Sequence, residues 1–137
     1  MGTEGHVWSI DLGEKATRVL GVEPEELDAE TKSFAERFGL NVELIRGDSR
    51  TVEVDAYDVD LLLIDGDHTY DGVRSDFERF APRVRRDGAV LLDDAFPDAL
   101  VPSHPESVGR LVRQVTATGG YRLVRRVDRL AHLERAS

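Results

Sequence analysis

The sequence predicts an α/β fold: an open, mostly parallel twisted sheet that ends in an antiparallel strand. Three observations carry this. Apolar segments with strand and helix patterns alternate along the whole chain. Two short apolar runs, Val59 to Ile64 and Ala89 to Leu92, are nearly continuous, as strands covered on both faces are. The last two β-rich segments are joined only by a tight turn, which makes them neighbours. With 137 residues and no repeat or low-complexity linker, the chain reads as a single domain, residues 1–137.

The elements follow in order. His6 to Ile10 is a short β-rich run ending at Asp11-Leu-Gly13. Pro24 suits a first helical turn, Leu27, Thr31, Phe34 and Phe38 recur at helical spacing as one buried stripe, and Gly39 suits the left-handed position past the end. Val42 to Ile45 is a second strand, running into Gly47-Asp48-Ser49, and a short or absent helix separates it from Val59 to Ile64. Val73, Phe77, Phe80, Ala81 and Val84 share a helical face, closed by Arg85-Arg86-Asp87-Gly88 before the strand Ala89 to Leu92. Pro97, Pro102 and Pro105 break up the next stretch. Val108, Leu111, Val112 and Val115 form a third helical face ending at Gly119-Gly120, and Tyr121 to Arg126 and Leu130 to Glu134 complete the sheet.

Composition narrows the function. Basic residues number 18 against 27 acidic, a net charge of −9, and no basic run exceeds the pairs Arg85-Arg86 and Arg125-Arg126. A nucleic-acid binder that lives on phosphate neutralisation is not expected, whereas a small-molecule substrate is. No apolar run approaches the ~20 residues of a spanning helix, so neither a membrane nor a signal peptide is indicated and a cytoplasmic location is expected. There is no cysteine, so any metal must be held by oxygen or imidazole, which favours calcium, magnesium or manganese.

In open parallel sheets ligands bind beyond the carboxyl ends of the strands. Four apolar runs stop at acids: Asp11, Asp48, Asp65 and the pair Asp93-Asp94. Acids are common here and favour loops and helix caps in any case. An acid placed like Asp11 can accept hydrogen bonds from both hydroxyls of a ribose. Asp48-Ser49 is placed to meet an adenine edge, or to form a turn or cap. Asp65, Asp93 and Asp94 end neighbouring strands, and three converging carboxylates call for a hard divalent cation. His68, three residues past Asp65, is titratable near neutrality and suits a general base, or alternatively a cap or loop hydrogen bond.

The segment Asp60-Leu-Leu-Leu-Ile-Asp-Gly-Asp-His-Thr-Tyr-Asp-Gly-Val-Arg-Ser-Asp-Phe-Glu-Arg-Phe-Ala-Pro, followed by Asp87-Gly-Ala-Val-Leu-Leu-Asp-Asp94, resembles the class I S-adenosylmethionine-dependent methyltransferases. More narrowly it is similar to the bacterial group with an Ile-Asp-Gly-Asp-His-x-Tyr signature, akin to cephalosporin hydroxylase-like and macrocin-type O-methyltransferases. The resemblance runs from about Gly5 to Leu133. It implies a Rossmann-like methyltransferase fold, S-adenosylmethionine (SAM) as cofactor, a divalent cation such as Mg2+, and O-methylation of a small molecule. It assigns Asp65, Asp93 and Asp94 as metal ligands, His68 as catalytic base, Asp11 as the ribose acid and Asp48 as the adenine-side acid. Asp11, Asp48, Ser49 and Asp65 are then the cofactor-binding set. A metal-held substrate hydroxyl would be lowered in pKa while His68 takes its proton.

The chain departs from the family in one respect. The glycine-rich loop after the family's first strand, which holds the methionine end of the cofactor, has no counterpart ahead of Asp11. That strand is central in the family's sheet, so the chain reads as N-terminally truncated or as a divergent and inactive relative with a binding role. Self-association is one way to fill the gap. Two other patterns compete: Leu62 to Thr69 fits the Asp-x-Asp-x-Thr start of haloacid dehalogenase-like phosphatases, and Asp65-Gly-Asp67 the Asp-x-Asp of glycosyltransferases. The phosphatase reading lacks a lysine downstream, since the only lysines are Lys15 and Lys32.

Overall fold

The computed structural model describes residues 5–14, 18, 19, 21–96 and 107–137. Contacts gather the chain into two compact units, Met1–Asp55 and Ala56–Ser137. The expectations at Pro97, Pro102 and Pro105 lie outside the described residues.

In the first unit, β1 (His6–Asp11) and β2 (Asn41–Arg46) pair in parallel, from His6 opposite Asn41 to Asp11 opposite Arg46. Parallel neighbours need a crossover, and α1 (Pro24–Arg37) supplies it. Its start follows from Pro24 in the first turn, with Glu25 and Glu26 favourable to the positive end of the helix dipole. Its end follows from Gly39 at φ +63°, after which the Leu40 amide donates to the Ala35 carbonyl at 2.8 Å. The buried stripe is rotated from the expected one. Pro24, Leu27, Asp28 and Thr31 are half-buried and Ala35 is buried, whereas Phe34 and Phe38 are 58% and 57% exposed, their rings 4.5 Å apart. At 100° per residue the covered face centres between Thr31 and Ala35, which puts Phe34 about 80° off that centre, while Phe38 is the C-cap and lies past the last helical residue.

In the second unit, β3 (Val59–Ile64), β4 (Val84–Leu92), β5 (Tyr121–Val127) and β6 (Leu130–Arg135) form a sheet in the order β3-β4-β6-β5. The β3–β4 pair is parallel, and β4–β6 and β5–β6 are antiparallel. β3, β4 and β5 run in one direction and β6 alone against them, so the expected antiparallel C-terminal strand is present, inserted between β4 and β5. α2 (Tyr70–Phe80) and α3 (Ser107–Ala117) pack over it. Leu92, Ala131 and Leu133 at 0% and Val90 at 1% exposure are the centre of the core, roofed by Val73, Phe77, Leu111 and Val112. Phe77 meets Tyr121 edge-on at 4.9 Å.

Two expectations are corrected. The helix does not reach Val84: α2 ends at Phe80, a 3-10 turn spans Ala81–Arg83, and β4 already begins at Val84. Arg85-Arg86-Asp87-Gly88 thus belongs to the strand. Val84, Gly88, Val90 and Leu92 are its buried positions, and the exposed Arg85 pairs with Asp60 at 2.6 Å. The β3–β4 register shifts between Val59 and Leu61, and β4 absorbs the slack at Gly88. A Cβ there would lie 2.8 Å from the Asp60 carbonyl oxygen and 3.0 Å from that of Val59, so only glycine lets the backbones approach. Secondly, β3 is not covered on both faces: it is an edge strand, and Leu61 and Leu63 are each 54% exposed.

Candidate active site

The turn that leads from β3 into α2 is built by its own side chains. The Asp67 carboxylate accepts from the Thr69 amide at 2.9 Å, and Thr69 caps α2, its hydroxyl accepting from the Gly72 amide at 3.1 Å and its carbonyl from Val73 at 3.0 Å. A Cβ on Gly72 would lie within 2.6 Å of three Asp67 side-chain atoms, which explains the glycine one turn after the acid. Asp67, Thr69 and Gly72 therefore shape the loop.

That leaves His68 free of the capping role. Its Nδ1 lies 2.8 Å from Asp94 Oδ2, with both side chains half-buried. Asp94 sits just past β4, where the Asp93 amide still donates to the Ile64 carbonyl at 3.1 Å and so carries the β3–β4 ladder one step beyond the strands. At Asp94 the backbone turns left-handed, with φ +55°, a conformation costing a non-glycine residue ~1–2 kcal/mol. The next residue is pinned. The Ala95 amide donates to the Arg129 carbonyl at 2.8 Å, and Gly109 on α3 approaches so closely that a Cβ would stand 2.7 Å from the Ala95 carbonyl oxygen.

Arg129 is the residue that sequence reasoning missed. Its Nη1 stands 3.1 Å from Asp94 Oδ1, an ion pair whose angle is not that of a hydrogen bond, since Oδ1 is buried with no hydrogen-bond partner. The nearest signal is the antiparallel register: Leu92 opposes Ala131, and carrying that pairing two residues further sets Asp94 opposite Arg129.

The expected metal centre is not assembled. Among the described residues no three of His, Cys, Asp and Glu are grouped so as to hold a metal ion, although Asp65, Asp93 and Asp94 do stand at the ends of β3 and β4. The physical reason lies at Asp94. Its carboxylate already meets His68 on one oxygen and a guanidinium on the other, so the compensation a divalent ion would bring comes from within the chain. As arranged, these residues do not fit a divalent cation.

In the first unit, Asp11 ends β1 with its side chain 65% exposed. Its Oδ1 accepts from the Gly13 amide at 2.7 Å, and Arg46 Nη1 stands 3.7 Å away while Nη2 binds Asp28. Gly13 at φ +83° lets the chain turn back over this carboxylate, and a Cβ there would strike Arg46. A cavity of about 110 Å3 lies alongside, lined by Ser9, Asp11, Leu27, Asp28, Thr31 and Arg46 among others. Asp48 begins the turn after β2. Its carboxylate accepts from the Arg50 amide at 2.9 Å and from that residue's guanidinium at 3.0–3.2 Å, and the half-buried Ser49 lies between them.

This mixed α/β architecture matches the Rossmann-like fold of solved methyltransferases. A family model described as a methyltransferase domain matches residues 2–95, and the chain belongs to that family. No curated protein matches the chain. Solved structures do. The O-methyltransferase NovP superposes with a TM-score of 0.66 at 17% identity over 96% of this chain and 60% of its own. A protein from Corynebacterium glutamicum gives 0.61 at 16% identity over 99% and 74%. MycE, a methyltransferase from the mycinamycin biosynthetic pathway, solved with Mg, SAH and mycinamycin VI, gives 0.57 at 16% identity. The chain spans 44% of MycE. The family assignment displaces the phosphatase and glycosyltransferase readings. No described helix is long and apolar enough to cross a membrane.

Proposed function

We propose that this chain takes part in SAM-dependent O-methylation of a small molecule, with His68 as the general base. The carrying observation is the 2.8 Å contact between His68 Nδ1 and Asp94 Oδ2. Asp94 accepts the Nδ1 proton, which fixes the tautomer in which Nε2 holds a free lone pair. Nε2 is then the atom that takes the proton of a substrate hydroxyl as that oxygen attacks. SAM, when bound, supplies an electrophilic methyl group on a sulfonium, so that a C–O bond forms as the C–S bond breaks.

Asp11 fits the ribose role, because one carboxylate oxygen is fixed by the Gly13 amide while the side chain stays open to solvent. Asp48 reaches an adenine only if Arg50 gives up its place on the carboxylate. The neighbours solved with SAH support the cofactor class. The negative net charge and the neighbour MycE, solved with mycinamycin VI, support a small-molecule acceptor.

The experiment is transfer of a labelled methyl group from SAM to a panel of small hydroxylated acceptors, comparing wild type with His68→Ala. Removing a general base lowers turnover by ~10²–10⁴-fold, with SAM binding little changed. Equal turnover by the variant would remove His68 from the chemistry.

A further inference from the structure

We infer that Arg129, on the turn between β5 and β6, is a positioning residue that holds Asp94 where it can orient His68. The inference rests on the reading of His68 as base and extends the site to the C-terminal hairpin. Three observations carry it. Arg129 reaches the Asp94 loop twice, through its carbonyl to the Ala95 amide at 2.8 Å and through its guanidinium to Asp94 Oδ1 at 3.1 Å. Asp94 is held at a left-handed φ of +55°, a backbone state that persists only when the surroundings over-determine it. The turn presenting Arg129 is itself stiffened: Asp128 is at φ +49° and its carbonyl accepts from Arg126 Nε at 3.0 Å.

The two carboxylate oxygens of Asp94 thus have separate partners, Arg129 on Oδ1 and His68 on Oδ2. With Arg129 in place the carboxylate plane is fixed and Oδ2 is presented to the imidazole. Without it, a buried Oδ1 would have no counter-charge, and the side chain would turn to find one. His68 would then lose its Nδ1 acceptor and revert to the Nε2–H tautomer that a free imidazole favours. In that tautomer Nε2 carries a proton and cannot accept one from substrate. Arg129 touches neither reactant, so it acts only through Asp94.

The test is nitrogen-15 NMR of the histidine side chains in the full chain at ~pH 8, above the ordinary imidazole pKa of about 6.5. Wild type should show His68 chiefly as the Nδ1–H tautomer. Arg129→Met should shift it towards Nε2–H, and Arg129→Lys, which keeps the charge, should largely restore it. Both substitutions leave the Arg129 carbonyl contact to Ala95, so the hairpin stays folded, and unchanged amide dispersion checks this. An unchanged His68 tautomer in a folded Arg129→Met protein would overturn the inference. Turnover is read separately: Arg129→Met should lower kcat by about 10–100-fold, the scale for outer-shell partners, with the KM for SAM unchanged. If wild type transfers no methyl group but its tautomer depends on Arg129, the functional reading fails while the positioning role stands.

Discussion

Thr69 shows how much one hydroxyl contributes to this site. It accepts from the Gly72 amide and starts α2 one residue after His68, so His68 sits on the rim of a capped helix. Thr69→Ala should cost about 1 kcal/mol of stability, within the 0.5–2 kcal/mol range of cap losses, and chemical denaturation measures it. Thr69→Ser should recover most of the loss. His68 itself was legible in the sequence, because a histidine shortly after an acid-tipped apolar run stands where parallel sheets bind ligands. Its partner was legible only as an acid. Asp94 was expected to share a cation with Asp65 and Asp93, and the structure instead gives it a guanidinium and an imidazole. The reason is distance along the chain: Arg129 comes 35 residues after Asp94 by the numbering and meets it only because β6 lies between β4 and β5. Nothing local to Arg129 announces this.

At the scale of elements, periodicity succeeded where one face is covered and failed where the cover is partial. α2 and α3 were legible because their apolar residues face one core, and the β5–β6 hairpin because a tight turn joins two β-rich segments, although Leu123, Val124 and Val127 of β5 stay exposed. α1 was legible as a helix from Pro24 and Gly39, but its covered face was not, since a two-stranded sheet covers too little of it to bury both phenylalanines. A contrast tests this: Phe34→Ser should change stability by no more than about 0.5 kcal/mol, as exposed substitutions do, whereas Leu92→Ala should cost ~2–5 kcal/mol. The early start of β4 was hidden by the charges of Arg85, Arg86 and Asp87, which read as a helix end. The device that allows it is Gly88, pressed against the backbone of β3. Gly88→Val should destabilise by ~1–3 kcal/mol through overpacking, and a thermal midpoint no lower than wild type would show that the bulge can be relaxed.

For the molecule as a whole, family membership and the mixed sheet place it among methyltransferases, and the His68–Asp94–Arg129 arrangement supports a base that needs no cation to compensate its carboxylate. Turnover should therefore persist in excess EDTA. A loss on chelation that magnesium restores would return Asp65, Asp93 and Asp94 to the ligand role that the sequence suggested. The most direct test of the central claim, that Asp94 acts by orienting His68, is a double-mutant cycle on methyl transfer with His68→Ala, Asp94→Asn and the pair. Residues that act as one unit are strongly non-additive, so the double variant should be about as slow as His68→Ala alone. Losses that multiply across the two substitutions would show that Asp94 works independently of His68, and would contradict the account.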